Sequence, residues 1–188
     1  MAVAFAFAFA SCAALASGSS PNHKTDGTNV WIGAASGGSM KELSNWKALV
    51  GGAEYTDATS VSNLFMKHVT LDIRGLAHGA VLTNDINFGN TYNERSSSGY
   101  TMVAGIIYAG QDGDEVSFVN GGGKGLYFTA PSYLDIMGGT VLWQSDAGQS
   151  YPYKKPVKRG AGVFRFASAT AFWEAEGTVQ LGTLAFTN

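Results

Sequence analysis

The chain has 188 residues, of which 45% are hydrophobic and 14% are charged, so it can bury one core and is not intrinsically disordered. Its formal net charge of −2 argues against nucleic-acid binding by neutralisation of phosphates. Its one cysteine, Cys12, excludes an intrachain disulfide, so the folded state must be stabilised by burial and hydrogen bonds.

The start of the chain predicts export. Residues 1–16 read MAVAFAFAFASCAALA, carry no charge and fall short of the ~20 apolar residues that span a bilayer. We interpret them as a signal peptide, with Ala14 and Ala16 as the small residues that precede cleavage before Ser17. We therefore expect the mature chain to be secreted or at the cell surface, at a bacterial outer membrane or outside it, without a transmembrane span.

Two alternatives stay open for this segment, because no Lys or Arg precedes the apolar run. The sequence Phe9-Ala10-Ser11-Cys12 loosely resembles a lipoprotein box, which would anchor the chain through a lipid on Cys12. The alternation of Ala and Phe would also suit a strand or a helix that is retained in the mature chain.

The rest of the chain divides into a linker and a β domain. Residues 17–29 are rich in Gly, Ser, Asn and Thr and predict a linker. Residues 30–188 predict a single β domain, either whole or part of a longer repeat array. Runs of Val, Ile, Leu, Phe, Tyr, Trp and Thr recur there and end at turn sequences such as Asp112-Gly113 and Gly138-Gly139. Only Met40–Leu49, with an apolar residue at every third position, could form a short helix.

The many short strands predict an all-β fold, and two architectures fit. We favour a right-handed parallel β-solenoid, in which each turn of the chain stacks its apolar residues on the next. Gly139–Trp143 is echoed by Gly177–Leu181, 38 positions later, as two turns of about 19 residues would require. The apolar run Leu181–Asn188 has no cap, so we expect it to pair with a strand of this chain, of another copy or of further sequence. A two-sheet, jelly-roll-like β-sandwich is the alternative.

Three segments near the start of the β domain carry a resemblance to a known family. They are Val30-Trp31-Ile32-Gly33, Ala34-Ala35-Ser36-Gly37 and Leu43-Ser44-Asn45-Trp46. In this order they resemble an opening repeat of bacterial autotransporter-like surface proteins, where a Trp-x-Gly strand precedes a glycine-rich turn and an Asn-Trp pair. The resemblance implies a secreted β-helical rod, often adhesive. That family has no shared catalytic residues, so the resemblance assigns none to this chain.

The same residues also have a physical role that does not depend on the family. Trp31 and Trp46 can each bury ~200 Å² of surface, and we expect them to close one end of the apolar core. Asn45 can bond to backbone groups at a turn. We therefore prefer an N-terminal cap on the β core to a sugar-binding role for the two tryptophans.

Reactive groups are sparse, so we predict that the chain is not an enzyme and needs no cofactor. Glu174 and Glu176 could face one side of a strand as a glycosidase pair, but two solvated charges are the favoured interpretation. Asp112, Asp114 and Glu115 surround a glycine turn and are a weak candidate for calcium, although the spacing of a full calcium loop is missing. The sequence also lacks a nucleophile elbow and a phosphate-binding loop.

A basic, aromatic stretch at 151–159, Tyr-Pro-Tyr-Lys-Lys-Pro-Val-Lys-Arg, is the best candidate for a binding loop. Two prolines stiffen it, and tyrosines beside cations can engage sugars or acidic surfaces through stacking and charge. A solvated loop between strands is the alternative. With one further aromatic residue, the candidate binding residues are Tyr151, Tyr153, Lys154, Lys155 and Trp173.

Taken together, the sequence favours a non-enzymatic, exported surface or adhesin-type structural β protein. The alternatives are a carbohydrate-binding β-sandwich module and a self-assembling extracellular filament subunit. The expected partners are glycans or further copies of the chain. Nucleic acid is not an expected partner.

Overall fold

The computed structural model describes residues 27–54, 69–86, 101–122, 126–144, 156–167 and 178–186. Within these ranges every regular element is a β-strand except one 3-10 helix, Leu43–Asn45, so the all-β prediction is confirmed. None of the helical structure in these ranges has the length and apolarity needed to pass through a bilayer.

The strands form two sheets, which the chain enters alternately over most of its length. In chain order the strands are β1 Gly27–Trp31, β2 Gly37–Ser39, β3 Trp46–Val50, β4 Ala53–Glu54, β5 Val69–Asp72, β6 Val81–Asn84, β7 Thr101–Tyr108, β8 Glu115–Asn120, β9 Leu126–Ile136, β10 Thr140–Trp143, β11 Pro156–Arg159, β12 Val163–Phe166, β13 Thr178–Val179 and β14 Thr183–Phe186. The larger sheet has the order β13-β11-β9-β7-β5-β1-β3-β4, and the smaller has the order β14-β12-β10-β8-β6-β2.

We call one strand of the larger sheet and the following strand of the smaller sheet a circuit. The six circuits, numbered in chain order, are β1–β2, β5–β6, β7–β8, β9–β10, β11–β12 and β13–β14. Strands of successive circuits are parallel in both sheets. Among the described strands, antiparallel neighbours occur only where β3 pairs with β1 and β4. A jelly-roll-like sandwich would have antiparallel neighbours throughout, so this alternative shares the two-sheet layout but not the strand directions.

The core lies between the two sheets, because residues from both belong to one buried cluster. Successive residues of a strand point to opposite faces, so alternate positions are buried. In β8, Val116 and Phe118 are fully buried, whereas Ser117 between them is half-buried. Parallel register aligns the buried positions of successive circuits into rows. One such row runs through Leu82, Phe118, Trp143 and Phe166, with the rings of Phe118 and Trp143 4.6 Å apart at their centroids.

The proposed 38-residue echo is wrong as a measure of the repeat. Its first copy contains β10 of the smaller sheet, but its second contains β13 of the larger sheet. The partners of Val141 in the next two circuits are Phe164, 23 positions later, and Leu184, a further 20 positions later. Earlier circuits are longer, since Thr28 pairs with Thr70, 42 positions later. Connections of unequal length therefore hide the period, and the two matching segments resemble each other because both are strands bordered by glycine turns.

The expected boundaries of the first elements also differ from those observed. β1 begins at Gly27, three positions before the expected start of the β domain, and buries Asn29 fully. The possible helix at Met40–Leu49 is wrong. Its first half contains the 3-10 helix Leu43–Asn45, and its second half lies in β3, which pairs with β1. Pairing with an existing strand satisfies the backbone of β3 and overrides the weak helical spacing.

The expected N-terminal cap is confirmed for both tryptophans. Trp31 and Trp46 are 3% and 5% exposed and meet edge to face, with ring centroids 5.0 Å apart. Their indole N–H groups donate to the carbonyl oxygens of Ala34 and Met40, at 2.9 and 3.0 Å. Both polar groups are thus satisfied while the rings cover the end of the core.

The turn beside the cap depends on an amide and a glycine. Asn45 Nδ2 donates to the carbonyl oxygen of Ser39 at 2.9 Å, as expected from the sequence. Gly37 has φ +93°, and a Cβ there would lie 2.0 Å from the carbonyl oxygen of Val81 on β6. Only glycine allows this backbone conformation together with such a close approach. The close packing of β2 against β6 therefore requires a glycine at position 37, the last residue of the Ala-Ala-Ser-Gly segment.

Candidate functional site

The five residues predicted to bind ligands lie outside the described residues; they are Tyr151, Tyr153, Lys154, Lys155 and Trp173. The structure does describe the strand into which the predicted loop leads. Pro156–Arg159 form β11, so the last four residues of the stretch 151–159 are part of the larger sheet and not of a solvated loop. The described surface that continues from this loop is the outer face of β11 and its neighbour β9.

Four outward side chains make up this surface, which we call the β9–β11 face: Tyr133, Asp135, Val157 and Arg159. Val157 pairs with Tyr133 and Arg159 with Asp135 in the parallel register. Leu134 and Lys158, the residues between them, point inward and are fully buried. The alternation of each strand therefore places all four residues on the same side of the sheet.

Arg159 contacts two of the other three residues of the β9–β11 face. Its Nε and Nη2 atoms donate to the two carboxylate oxygens of Asp135, each at 2.5 Å. Its guanidinium carbon lies 3.9 Å from the centroid of the Tyr133 ring. The planar guanidinium thus stacks on an aromatic ring while its edge binds a carboxylate, an arrangement that lysine could not reproduce.

The two charged residues of this face, Asp135 and Arg159, pair with each other. The hydrogen bond to Asp135 is the largest cause that raises the pKa of Arg159, so the guanidinium stays charged. The Asp135 side chain is only 15% exposed, whereas Tyr133 is 37% exposed. An accessible ring edge with polar neighbours can contact a flat, polar ligand. The exposed ring of Tyr133 is therefore the part of this face that a ligand could reach.

A second ion pair lies in the same outward row of the larger sheet. Asp72 on β5 is connected to Asp135 through Ile107 of β7, which pairs with both. Arg74 Nε and Nη2 donate to the two oxygens of Asp72, at 2.9 and 2.6 Å. This hydrogen bond raises the pKa of Arg74. Two strand spacings, ~9.6 Å, separate the two acidic residues, so they act as separate pairs.

The weak calcium candidates do not form a cation site. Asp112 is exposed in a turn, and Asp114 accepts a hydrogen bond from the backbone N–H of Gln111 at 2.7 Å. Glu115 faces Arg165 at 4.0 Å. Across the described ranges, no three His, Cys, Asp or Glu side chains are grouped so that they could hold a metal ion. The Asp-Gly-Asp sequence acts here as turn chemistry.

Sequence reasoning missed Tyr133, Asp135 and Arg159 as a group. Asp135 and Arg159 are 24 positions apart, and only the register of β9 against β11 brings them together. The available signal was alternation, since Tyr-Leu-Asp places Tyr133 and Asp135 on one face of a strand and Val-Lys-Arg places Val157 and Arg159 on one face of another. That signal gives the face of each strand but not its partner.

The comparisons with known proteins assign no family. No family model matches the chain, and neither a curated protein nor a solved structure matches it.

We predict that the Asp135–Arg159 pair couples measurably, because it is bidentate and partly buried. A double-mutant cycle with Asp135→Asn and Arg159→Met should give a coupling energy of about 1 kcal/mol in urea unfolding. The Lys47–Glu54 pair is a matched control, because one contact of 2.8 Å joins side chains that are 41% and 55% exposed. Its coupling should be below about 0.5 kcal/mol. Equal coupling in the two pairs would contradict the role given to Arg159.

Proposed function

We propose that this chain is a right-handed parallel β-solenoid that serves as a non-enzymatic structural part of an exported surface or adhesin-type protein. One observation carries the proposal: successive circuits stack in parallel register in both sheets. Stacking of this kind is how solenoids extend a core along one axis. The right hand is supported by the strong preference of parallel strand–crossover–strand connections for that hand.

The charged groups of the described residues support a structural role. Arg74 and Arg159 are each tied to a carboxylate in a bidentate pair. Lys158 is fully buried and donates to backbone carbonyl oxygens. Each of these three groups is held by partners within the fold, as a structural role requires. A scaffold uses its charges in the way observed here.

Export is the part of the proposal that rests on residues 1–16. A chain with one cysteine and a core of stacked rows gains its stability without disulfides.

The solenoid predicts a fixed spacing between circuits. Thr28, Thr70, Gly105, Tyr133, Val157 and Thr178 form one row by successive pairing. Spin labels at Thr28→Cys and Thr178→Cys, in a Cys12→Ser background, should be about 24 Å apart, as five intervals of ~4.8 Å require. The control pair Thr28→Cys and Val157→Cys should give a distance shorter by ~5 Å, one interval.

Two outcomes of pulsed electron paramagnetic resonance would count against this. Equal distances for the two pairs would contradict the stack. A short distance between singly labelled chains in a mixture would favour the filament alternative. For that alternative, Val179 and Leu181 of circuit 6, 48% and 58% exposed, provide an apolar surface.

Export makes a prediction about the mature N-terminus. Expressed in a bacterium with an outer membrane, the chain should be recovered outside the cytoplasm with Ser17 as its first residue, by intact-mass spectrometry. Ala16→Arg should block cleavage, because the peptidase reads a small residue there. Cys12→Ser should leave the product unchanged, and a lipid-sized mass on Cys12 would show anchoring instead. A cytoplasmic chain that retains Met1 would contradict export.

Glycan binding is a second candidate function, and the β9–β11 face favours it. Tyr133 is 37% exposed beside the fixed Arg159–Asp135 pair, and the predicted loop with Tyr151 and Tyr153 leads into the same strand pair. An aromatic ring with polar groups at its edge is suited to contact a sugar ring and its hydroxyl groups. This candidate places the binding site on the flat face of a sheet.

Glycan binding would be tested with the intact chain on a broad glycan array. We expect retention on at least one glycan, and a loss of affinity of tenfold or more in Tyr133→Ala. Val157→Ala, which changes an outward aliphatic neighbour, should keep the wild-type affinity. No retention of the wild-type chain, or equal loss in both variants, would argue against this site.

A further inference from the structure

Lys158 is a charged residue at a core position. In the register of the larger sheet it follows Leu71, Ile106 and Leu134 and precedes Val179 in one inward row. Its side chain is 0% exposed. A lysine is almost never fully buried without partners, so its surroundings must compensate the ammonium group.

The partners of Lys158 are backbone carbonyls at the corners of three successive circuits. Nζ donates to Arg159 O at 2.7 Å and Gly160 O at 2.8 Å, at the end of β11 in circuit 5. It also reaches Ile136 O of circuit 4 at 3.4 Å and Leu181 O of circuit 6 at 3.3 Å. One ammonium group therefore connects the same corner in circuits 4, 5 and 6.

Glycine makes room for this connection. A Cβ on Gly182 would lie 2.9 Å from Lys158 Nζ and 2.3 Å from Gly160 O. Gly182 also has φ +81°, a conformation that glycine adopts without strain. The corner of circuit 6 can therefore approach the ammonium group only because this position lacks a side chain.

We propose that circuit 6 is a proton-coupled latch, in which Lys158 fastens the corner at Leu181 to the corners of the two preceding circuits. The proposal does not depend on export or adhesion. It assigns to circuit 6 an opening and closing motion that differs from global unfolding.

The electrostatic surroundings of Lys158 support the coupling. Burial lowers the pKa of Lys158 from 10.5 to about 8, and Asp135 on β9 opposes this by raising it. Arg159 on β11 is already paired with Asp135. Arg165 on β12 lies between the inward Phe164 and Phe166 and faces Glu115. The described residues of circuit 6, Thr178–Phe186, include no titratable side chain.

The direction of the pH effect follows from linkage. Opening returns Lys158 toward water, where its pKa is higher, so the open state binds more protons than the docked state. Docking is therefore weakest below pH 8, where the buried charge is fully present, and becomes stronger as the pH rises from about 8 to 10.5. The neutral amine that forms still has two N–H groups to donate to the corner carbonyls. If opening restores the ordinary pKa fully, the opening equilibrium should fall roughly 30-fold between about pH 7 and 9.5.

Hydrogen exchange of the wild-type chain tests this directly. The amide of Gln180 donates to Lys158 O and that of Thr183 to Gly162 O, so both report on circuit 6. After correction for intrinsic exchange rates, their protection should rise by up to about 30-fold between about pH 7 and 9.5. The amide of Ser117, which donates to Ala80 O between circuits 2 and 3, is the internal reference and should change little.

Variants separate a latch from ordinary packing. Lys158→Met removes both the titrating group and the donor to the corner carbonyls, so it should abolish the pH response of circuit 6. At about pH 9.5, where docking of the wild-type circuit is strong, it should raise opening by at least about tenfold. Leu134→Met, in the same inward row one circuit earlier, should retain both protection and pH response. Gly182→Ala should also open circuit 6, since its Cβ would collide with Gly160 O.

Three results would overturn the proposal. The first is protection at Gln180 and Thr183 in the wild-type chain that is independent of pH or falls with rising pH. The second is a wild-type pH response in Lys158→Met. The third is a change of the reference amide of Ser117 in parallel with circuit 6, which would indicate global unfolding and no separate latch. The first result is measured on the wild-type chain, so the proposal can be tested even if Lys158→Met does not fold.

Discussion

The parallel register between strands of successive circuits is the constraint on which the other features depend. Side chains alternate between the two faces of a strand, so a slip of one residue would move every buried side chain of that strand to the surface. Val141 faces the core because it pairs with Val116 on one side and Phe164 on the other, and both are fully buried. The same pairing fixes the outward rows, including the contact between Asp135 and Arg159. The core and the candidate binding face are therefore set by one pattern of backbone hydrogen bonds.

Polar groups in the core differ in how well they are compensated. Ser132 Oγ and Trp143 Nε1 are buried and find no hydrogen-bond partner among the described residues, and each such group costs about 1–3 kcal/mol. Lys158, in contrast, reaches four carbonyl oxygens although it carries the larger desolvation cost. The difference lies in position: the long lysine side chain extends from the row to the corner, where backbone carbonyls of neighbouring circuits converge. A charge is tolerated inside this fold because the corner supplies acceptors.

Some of this structure could be predicted from sequence, and the physical reasons for the limits are clear. Alternation of apolar residues and glycine turns predicted strands, since both are local signals. The cap could be predicted because Trp31, Trp46 and Asn45 lie within 16 positions of one another. The repeat length could not be predicted, because connections of different length separate strands that are neighbours in space. The partner of Arg159 and the burial of Lys158 were missed for the same reason, since both depend on which strand lies beside β11.

The stacked layout also bears on what its surface can do. Along an outward row, side chains project side by side from neighbouring strands at intervals of ~4.8 Å. Catalysis needs groups that converge on one atom from several directions, usually in a concave pocket. A flat row instead presents repeated, parallel contacts, which suit an extended ligand such as a polymer chain. On the β9–β11 face, Arg159 donates hydrogen bonds to Asp135 and stacks its guanidinium on Tyr133. The exposed part of the Tyr133 ring is therefore the group that such a ligand could contact. The register that aligns the rows of the core thus also aligns the side chains on the outer face of the sheet.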